Sequence, residues 1–153
     1  MTPVIQSADL DTPEFGALIK IHADLMLSLS PPDSCHYLPL EGLREPTVTV
    51  WEIRDRGELL GCGALKQLSL DHGEIKSMHI LSKARGRGLG EKMLAYLINM
   101  ARQRAYARLS LETGTIDGFG TAITLYKRFG FDMCGPFGDY VEDPNSLFMT
   151  RTL

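Results

Sequence analysis

The stretch "ARGRGLGEKML", residues 84 to 94, sets Gly86, Gly88 and Gly90 and the cations Arg85 and Arg87 in front of a helical pattern. Such a turn does one kind of chemistry well: it holds phosphate. Glycines let backbone amides approach an anion closely, a helix N-terminus supplies unpaired N–H groups and a partial positive charge, and arginines add cations. Two familiar cradles do not fit. A dinucleotide fingerprint needs a glycine three residues after Gly88, where Glu91 stands, and a P-loop needs Gly-Lys-Ser or Gly-Lys-Thr, whereas Lys92 lies between Glu91 and Met93. What remains is RxxGxG, read as Arg85, Gly88 and Gly90, with the first-turn acid Glu91 in tension with an anion site. Taken alone, these residues fit a plain helix-capping turn equally well.

Elements of both kinds must position this turn. "TPVIQSAD" reads as a short strand, and Phe15, Leu18, Ile19, His22, Leu25, Met26 and Leu29 recur at helical spacing from Thr12 to about Ser30, with Asp11 or Thr12 as cap. Pro31 and Pro32 break that helix, and a loop with one helical turn runs on to Arg44. "TVTVWEIRD" and "ELLGCGALKQLS" form a hairpin around Arg56 and Gly57, and "EIKSMHIL" is a further strand leading into the glycine-rich turn. Beyond it, Leu89, Met93, Leu94, Leu97, Ile98 and Ala101 mark a helix to about Arg104. "ARLSLET" is a strand with Leu109 and Leu111 on one face. After "GTIDGFG" a helix spans roughly Thr121 to Phe129, stopped by Gly130 with Phe131 folding back. Two strands around "FDMCGPF" and "SLFMTRTL" complete a mixed α/β arrangement on one central sheet.

Composition narrows the classes. The chain has 153 residues, 44% of them hydrophobic and 23% charged, which is the profile of one soluble globular domain spanning 1–153. A formal charge of −3 with no basic run beyond "RGR" argues against nucleic acid as a partner. The N-terminus carries Asp9 and Asp11 and reads as no secretory signal, and no apolar run approaches membrane-spanning length. Cys35, Cys62 and Cys134 are odd in number and form no CxxC pair, so a reducing, cytoplasmic setting without membrane association is expected. Cys62 between Gly61 and Gly63 reads as a small buried residue. His72 and His79 are too isolated for a metal site, so no metal is expected.

"EIKSMHILSKARGRGLGEKML", "LSLET" and "AITLYKRFGF", in this order, resemble the GNAT superfamily of N-acetyltransferases over roughly residues 47 to 131. The resemblance implies the GNAT acyl-CoA N-acyltransferase fold, a mostly antiparallel sheet whose fourth and fifth strands splay apart, with acetyl-CoA as cosubstrate. It places the pantetheine arm along the backbone of Met78, His79 and Ile80 and the pyrophosphate on the amides of Arg85, Gly86, Arg87, Gly88, Leu89 and Gly90. "SPPDSCHYL" is similar to a loop in a small bacterial subgroup of these enzymes, where the acceptor pocket is built, which makes Asp33, Ser34 and His36 candidates for substrate contact. Homodimers are common in the superfamily, so a homodimer is also implied.

An alkyl ammonium with a pKa near 10.4 costs about 4 to 5 kcal/mol to deprotonate at pH 7, so amine acetylation needs a base. Glu74 stands eleven positions before Arg85, where many members carry a general-base glutamate; as a strand-start residue it could equally pair with Lys76. His79 is a second candidate base, facing away from Glu74 under strict alternation and toward its side if the strand carries a bulge. Tyr126 in "LYKRFGF" matches the family's acid tyrosine, which donates a proton or hydrogen bond to the departing thiolate; a plain core aromatic is the alternative. The implied reaction is direct attack of a small-molecule primary amine on acetyl-CoA in a ternary complex, with the Met78 amide holding the oxyanion. Acetylation of a protein N-terminus or lysine, and a non-catalytic acyl-CoA binding module, are the rival functions.

Overall fold

A computed structural model describes residues 3–115 and 119–153. The expected loop "GTIDGFG" therefore lies partly outside the described residues. The chain runs β1 (Val4–Ser7), α1 (Pro13–Leu29), a 3₁₀ turn (Pro32–Ser34), α2 (Leu40–Leu43), β2 (Val48–Asp55), β3 (Glu58–Ser69), β4 (His72–Ile80), α3 (Leu89–Gln103), β5 (Arg108–Gly114), α4 (Gly120–Arg128), β6 (Asp132–Cys134) and β7 (Ser146–Thr152). These boundaries fall within a residue or two of those the spacing predicts, except that β6 ends at Cys134, short of the Gly135-Pro136 pair inside the expected "FDMCGPF" strand. The strands form one sheet in the order β1-β2-β3-β4-β5-β7-β6.

Local chemistry sets the ends of the helices. Thr12 caps α1 by accepting the Phe15 amide, Pro13 occupies the first turn, and the chain leaves the helix at Ser30 just before Pro31. At the end of α4, Gly130 adopts φ 88°, its amide bonds to Lys127 O, and the Phe131 amide returns to Tyr126 O. That is a Schellman stop, and it seats the Phe131 ring in the core beside Tyr126.

The sheet separates two apolar clusters. One face carries Trp51, Ile53, Leu65, Ile75, Leu109, Leu111 and Met149 against α3 and α4, where Met93, Leu94 and Leu97 are fully buried. The other carries Val50, Cys62 and Ala64 against Phe15, Leu18 and Ile19 of α1. Each buried leucine removes enough apolar surface from water to contribute about 1.5 to 3 kcal/mol, so both layers hold the sheet in place.

Two irregularities in β4 shape the site. The strand pairs with β5 in parallel only from His72↔Arg108 to Glu74↔Ser110, and beyond that the two strands part. Against β3, Ala64 faces Lys76 but Cys62 faces His79, so β4 holds one extra residue there. Ser77 takes φ 53° in this bulge, and its carbonyl accepts from Cys62 Sγ. The bulge turns His79 onto the face that carries Glu74 and Lys76, which alternation alone would not do.

Candidate active site

Where β4 and β5 part, a cavity of about 1130 Å³ opens through the sheet. Its loop end is lined by Arg85, Gly86, Gly88, Leu89 and Gly90, and its middle by Met78, His79 and Ile80. Gly86 and Gly88 adopt φ 79° and 75°, left-handed values that a side chain would strain, and Gly88 starts α3 from that geometry. Among the described residues, the amides from Gly86 to Gly90 donate to no backbone carbonyl, which leaves a row of free donors at a helix N-terminus. The cradle thus fits a pyrophosphate. Arg85 lines it while its Nε donates to Ile80 O, whereas Arg87 pairs with Asp55 at 2.6 Å and lies outside the lining. Glu91 presents no unscreened charge there, because Arg128 pairs with it at 2.8 Å.

Tyr126 reaches the cavity from the α4 side. Its hydroxyl has no hydrogen-bond partner among the described residues, yet it is not sealed off from the cavity, and burial pushes its pKa up to about 12. Leu109 and Leu111 share its apolar cluster, so Ser110 and Glu112, which alternate with them on β5, face the opposite side of the sheet. Glu112 lines the cavity there. Burial raises its carboxyl above the usual range, opposed by the neighbouring Ser146 hydroxyl and by the charges of His36 and Lys76, with Glu74 adding to the rise.

Glu74 stands elsewhere. It is 3% exposed and lies outside the cavity lining. Its Oε2 accepts from Tyr140 Oη at 2.6 Å and faces Lys76 Nζ at 3.4 Å. Lys76 in turn donates to the Tyr140 hydroxyl at 2.8 Å and to His36 O at 2.9 Å. Ser34 donates to Asp143 Oδ2 at 2.6 Å and accepts from Asn145, and its hydroxyl holds the Asp143 carboxyl below the usual range. The 33–37 segment and the loop between β6 and β7 are therefore tied together over the end of the cavity away from the glycines. Ser34 and His36 line that end; Asp33 does not.

His79 and His22, both buried, meet across the α1–β4 interface with Nδ1 atoms 3.0 Å apart. Burial lowers both imidazoles to about 4. An unfolded histidine titrates near 6.5, so between pH 6.5 and about 4 the unfolded chain binds protons that the fold refuses. Their contribution is complete above pH 6.5 and fades as pH falls through this window, by about 1.4 kcal/mol per pH unit for each ring. We expect the melting temperature to drop steeply over that range and His22→Gln to flatten the slope. Equal slopes for the two proteins would remove the pair as the cause.

The pairing of Glu74 with Lys76 is the alternative the sequence offers for Glu74, whereas the place of Glu112 in the lining, the contacts of Tyr140 with Glu74 and Lys76, and His22 as a partner of His79 are not expected from the sequence. Among the described residues, no group of three or more metal-ligating side chains occurs, and no helix is long and apolar enough to cross a membrane.

Comparison with known proteins decides the family. Residues 17–131 match the acetyltransferase (GNAT) family. The chain belongs to the GNAT family. A Bacillus subtilis (strain 168) protein described as an uncharacterized N-acetyltransferase is 46% identical over 149 residues, covering 97% of this chain and 99% of its own. A candidate acyl-CoA N-acyltransferase from Klebsiella pneumoniae has a crystal structure that superposes with a TM-score of 0.80 at 36% identity, over 99% of this chain and 97% of that one. A GNAT family acetyltransferase from Elizabethkingia anophelis, crystallised with acetyl-CoA bound, shares the fold at a TM-score of 0.70 and 20% identity, over 99% and 98% of the two chains. The seven-stranded mixed sheet with parallel β4 and β5 is thus the GNAT acyl-CoA N-acyltransferase fold, and this GNAT protein is an acetyl-CoA-dependent N-acetyltransferase.

Proposed function

We propose that the enzyme transfers acetyl from acetyl-CoA to the primary amine of a small molecule by direct attack in a ternary complex. The observation that carries this reading is the cavity where β4 and β5 part, with the Glu112 carboxylate entering from one face of the sheet and the Tyr126 hydroxyl from the other. The free amides of the glycine turn bind the pyrophosphate, and the backbone of Met78 to Ile80 aligns the pantetheine arm. Glu112 takes the proton of the acceptor ammonium, directly or through one water. The neutral amine attacks the thioester carbonyl, and the Met78 amide holds the oxyanion. The C–S bond then breaks, the thiolate leaves against the Tyr126 hydroxyl, and the nitrogen gives up its surplus proton to the thiolate or to water, which leaves the neutral amide and free CoA.

Glu74 supports this assignment by being occupied elsewhere, its carboxylate bound to Tyr140 and Lys76 away from the lining. The tied loops over the acceptor end favour a small molecule over a protein segment, which needs an open groove. Three free thiols fit a reducing, cytoplasmic setting.

A thermal-shift titration tests the donor assignment. Acetyl-CoA at a hundred times its Kd should stabilise the fold by about 2.7 kcal/mol, with no comparable shift from a nicotinamide dinucleotide or ATP. A shift only with those controls, or none at all, would overturn it. Release of CoA across a panel of small amines then tests the transfer step.

A further inference from the structure

The charged lining of the cavity divides in two. At the loop end stand Arg85 and the Arg128–Glu91 pair; at the acceptor end stand Lys76, Glu112 and the imidazole of His36. Lys76 has little charge to offer a ligand. Its side chain is 10% exposed, two of its hydrogens are bonded to Tyr140 and His36 O, and Glu74 counters its charge at 3.4 Å. The Tyr140 hydroxyl donates to Glu74, which closes the cluster on itself. Glu112, by contrast, has no ion-pair partner among the described residues. His22 and His79 stay neutral at neutral pH, and Leu25, Met26 and Leu29 of α1 add an apolar wall.

Resting on the acetyl-transfer reading above, we propose that the acceptor site takes amines whose only charge is the reacting ammonium, carried on an apolar skeleton, and turns away amines that also bear a carboxylate. An entering ammonium gains from Glu112, which no ion pair neutralises, while a carboxylate meets the same negative charge and finds the neighbouring Lys76 ammonium already engaged by Glu74, Tyr140 and His36 O. Lys76 is the side chain that could have received it. Glu74 and Tyr140 withhold it, so the selectivity is set by residues behind the lining as well as in it.

Three matched acceptors test this: 2-phenylethylamine, phenylalaninamide and phenylalanine, assayed by CoA release at saturating acetyl-CoA. We expect kcat/KM for 2-phenylethylamine to exceed that for phenylalanine at least tenfold, with phenylalaninamide much nearer the amine because it keeps the bulk and lacks the charge. Glu74→Gln uncovers the Lys76 charge and should shrink the tenfold ratio at least threefold; Tyr140→Phe should act in the same direction and serves if the first variant folds poorly. Phenylalanine within threefold of 2-phenylethylamine, or phenylalaninamide as poor as phenylalanine, overturns the proposal. A ratio unmoved in both variants removes Lys76 from it. Should no probe release CoA, the transfer reading fails separately, and calorimetric titration of the same probes into the CoA-bound protein decides selectivity: equal affinity for phenylalanine, or no binding of 2-phenylethylamine, overturns it.

Discussion

Replacing Glu112 by glutamine should lower kcat/KM for the acceptor amine by about two to three orders of magnitude while leaving the affinity for acetyl-CoA within a factor of two. Removing a positioned general base costs 10²- to 10⁴-fold in typical cases, and the lower part of that range applies because a little free amine is always present. Glutamine keeps the shape of the side chain and loses only its capacity to take a proton, so packing at this half-buried position is preserved. The pH profile supplies the sharper signature. In the parent enzyme the acidic limb should follow the Glu112 carboxyl, whose pKa burial raises above the usual carboxylate value, and activity falls as pH drops through it. In the variant that limb disappears, and the rate climbs tenfold per pH unit as free amine accumulates up to the amine's own pKa. An unchanged acidic limb in Glu112→Gln would assign the base elsewhere, and Glu74 would return as the first candidate.

The contrast between Glu112 and Glu74 shows where the sequence is informative and where it stops. The glycine turn, the helix that follows it and the Schellman stop at Gly130 are written in short-range patterns, and each falls where its spacing predicts. The apolar periods of α1, α3 and β5 likewise announce which faces are buried. No such pattern announces what surrounds a carboxylate. Glu74 and Glu112 both sit in alternating strands and both share a face with polar neighbours. Only tertiary structure brings Tyr140 onto Glu74 from 66 positions away, and only the parting of β4 from β5 after Glu74↔Ser110 leaves Glu112 beside open space. The side on which His79 lies depends on a single bulged residue, Ser77, whose left-handed φ has no residue-type signature. Histidine pairing across the α1–β4 interface follows from that bulge and is equally hidden. Position relative to a motif therefore locates a carboxylate on its strand more reliably than it tells what surrounds that carboxylate.

Replacing Tyr126 by phenylalanine should lower kcat by roughly tenfold to a hundredfold, and magnitudes say what kind of help is being removed. Burial holds the phenol near 12, whereas an ordinary thiol ionises near 8.5. Complete transfer of the phenolic proton to the departing thiolate would run uphill by more than three pKa units, so the hydroxyl stays protonated and acts as a hydrogen-bond donor to the developing negative sulfur. A hydrogen bond to a charged group contributes about 1.5 to 3 kcal/mol, which corresponds to the stated loss in rate. The phenol has no protein acceptor among the described residues and opens to the cavity, so its donor is free for the sulfur. Two consequences separate this role from mere packing. The kcat profile should show no falling limb from the phenol below about pH 11, and the penalty of Tyr126→Phe should shrink for acetyl thioesters of more acidic thiols, whose thiolates leave without assistance. A penalty independent of the leaving thiol would make Tyr126 a packing residue, and expulsion of the sulfur would then rest on the positive end of α3 and solvent in the cavity.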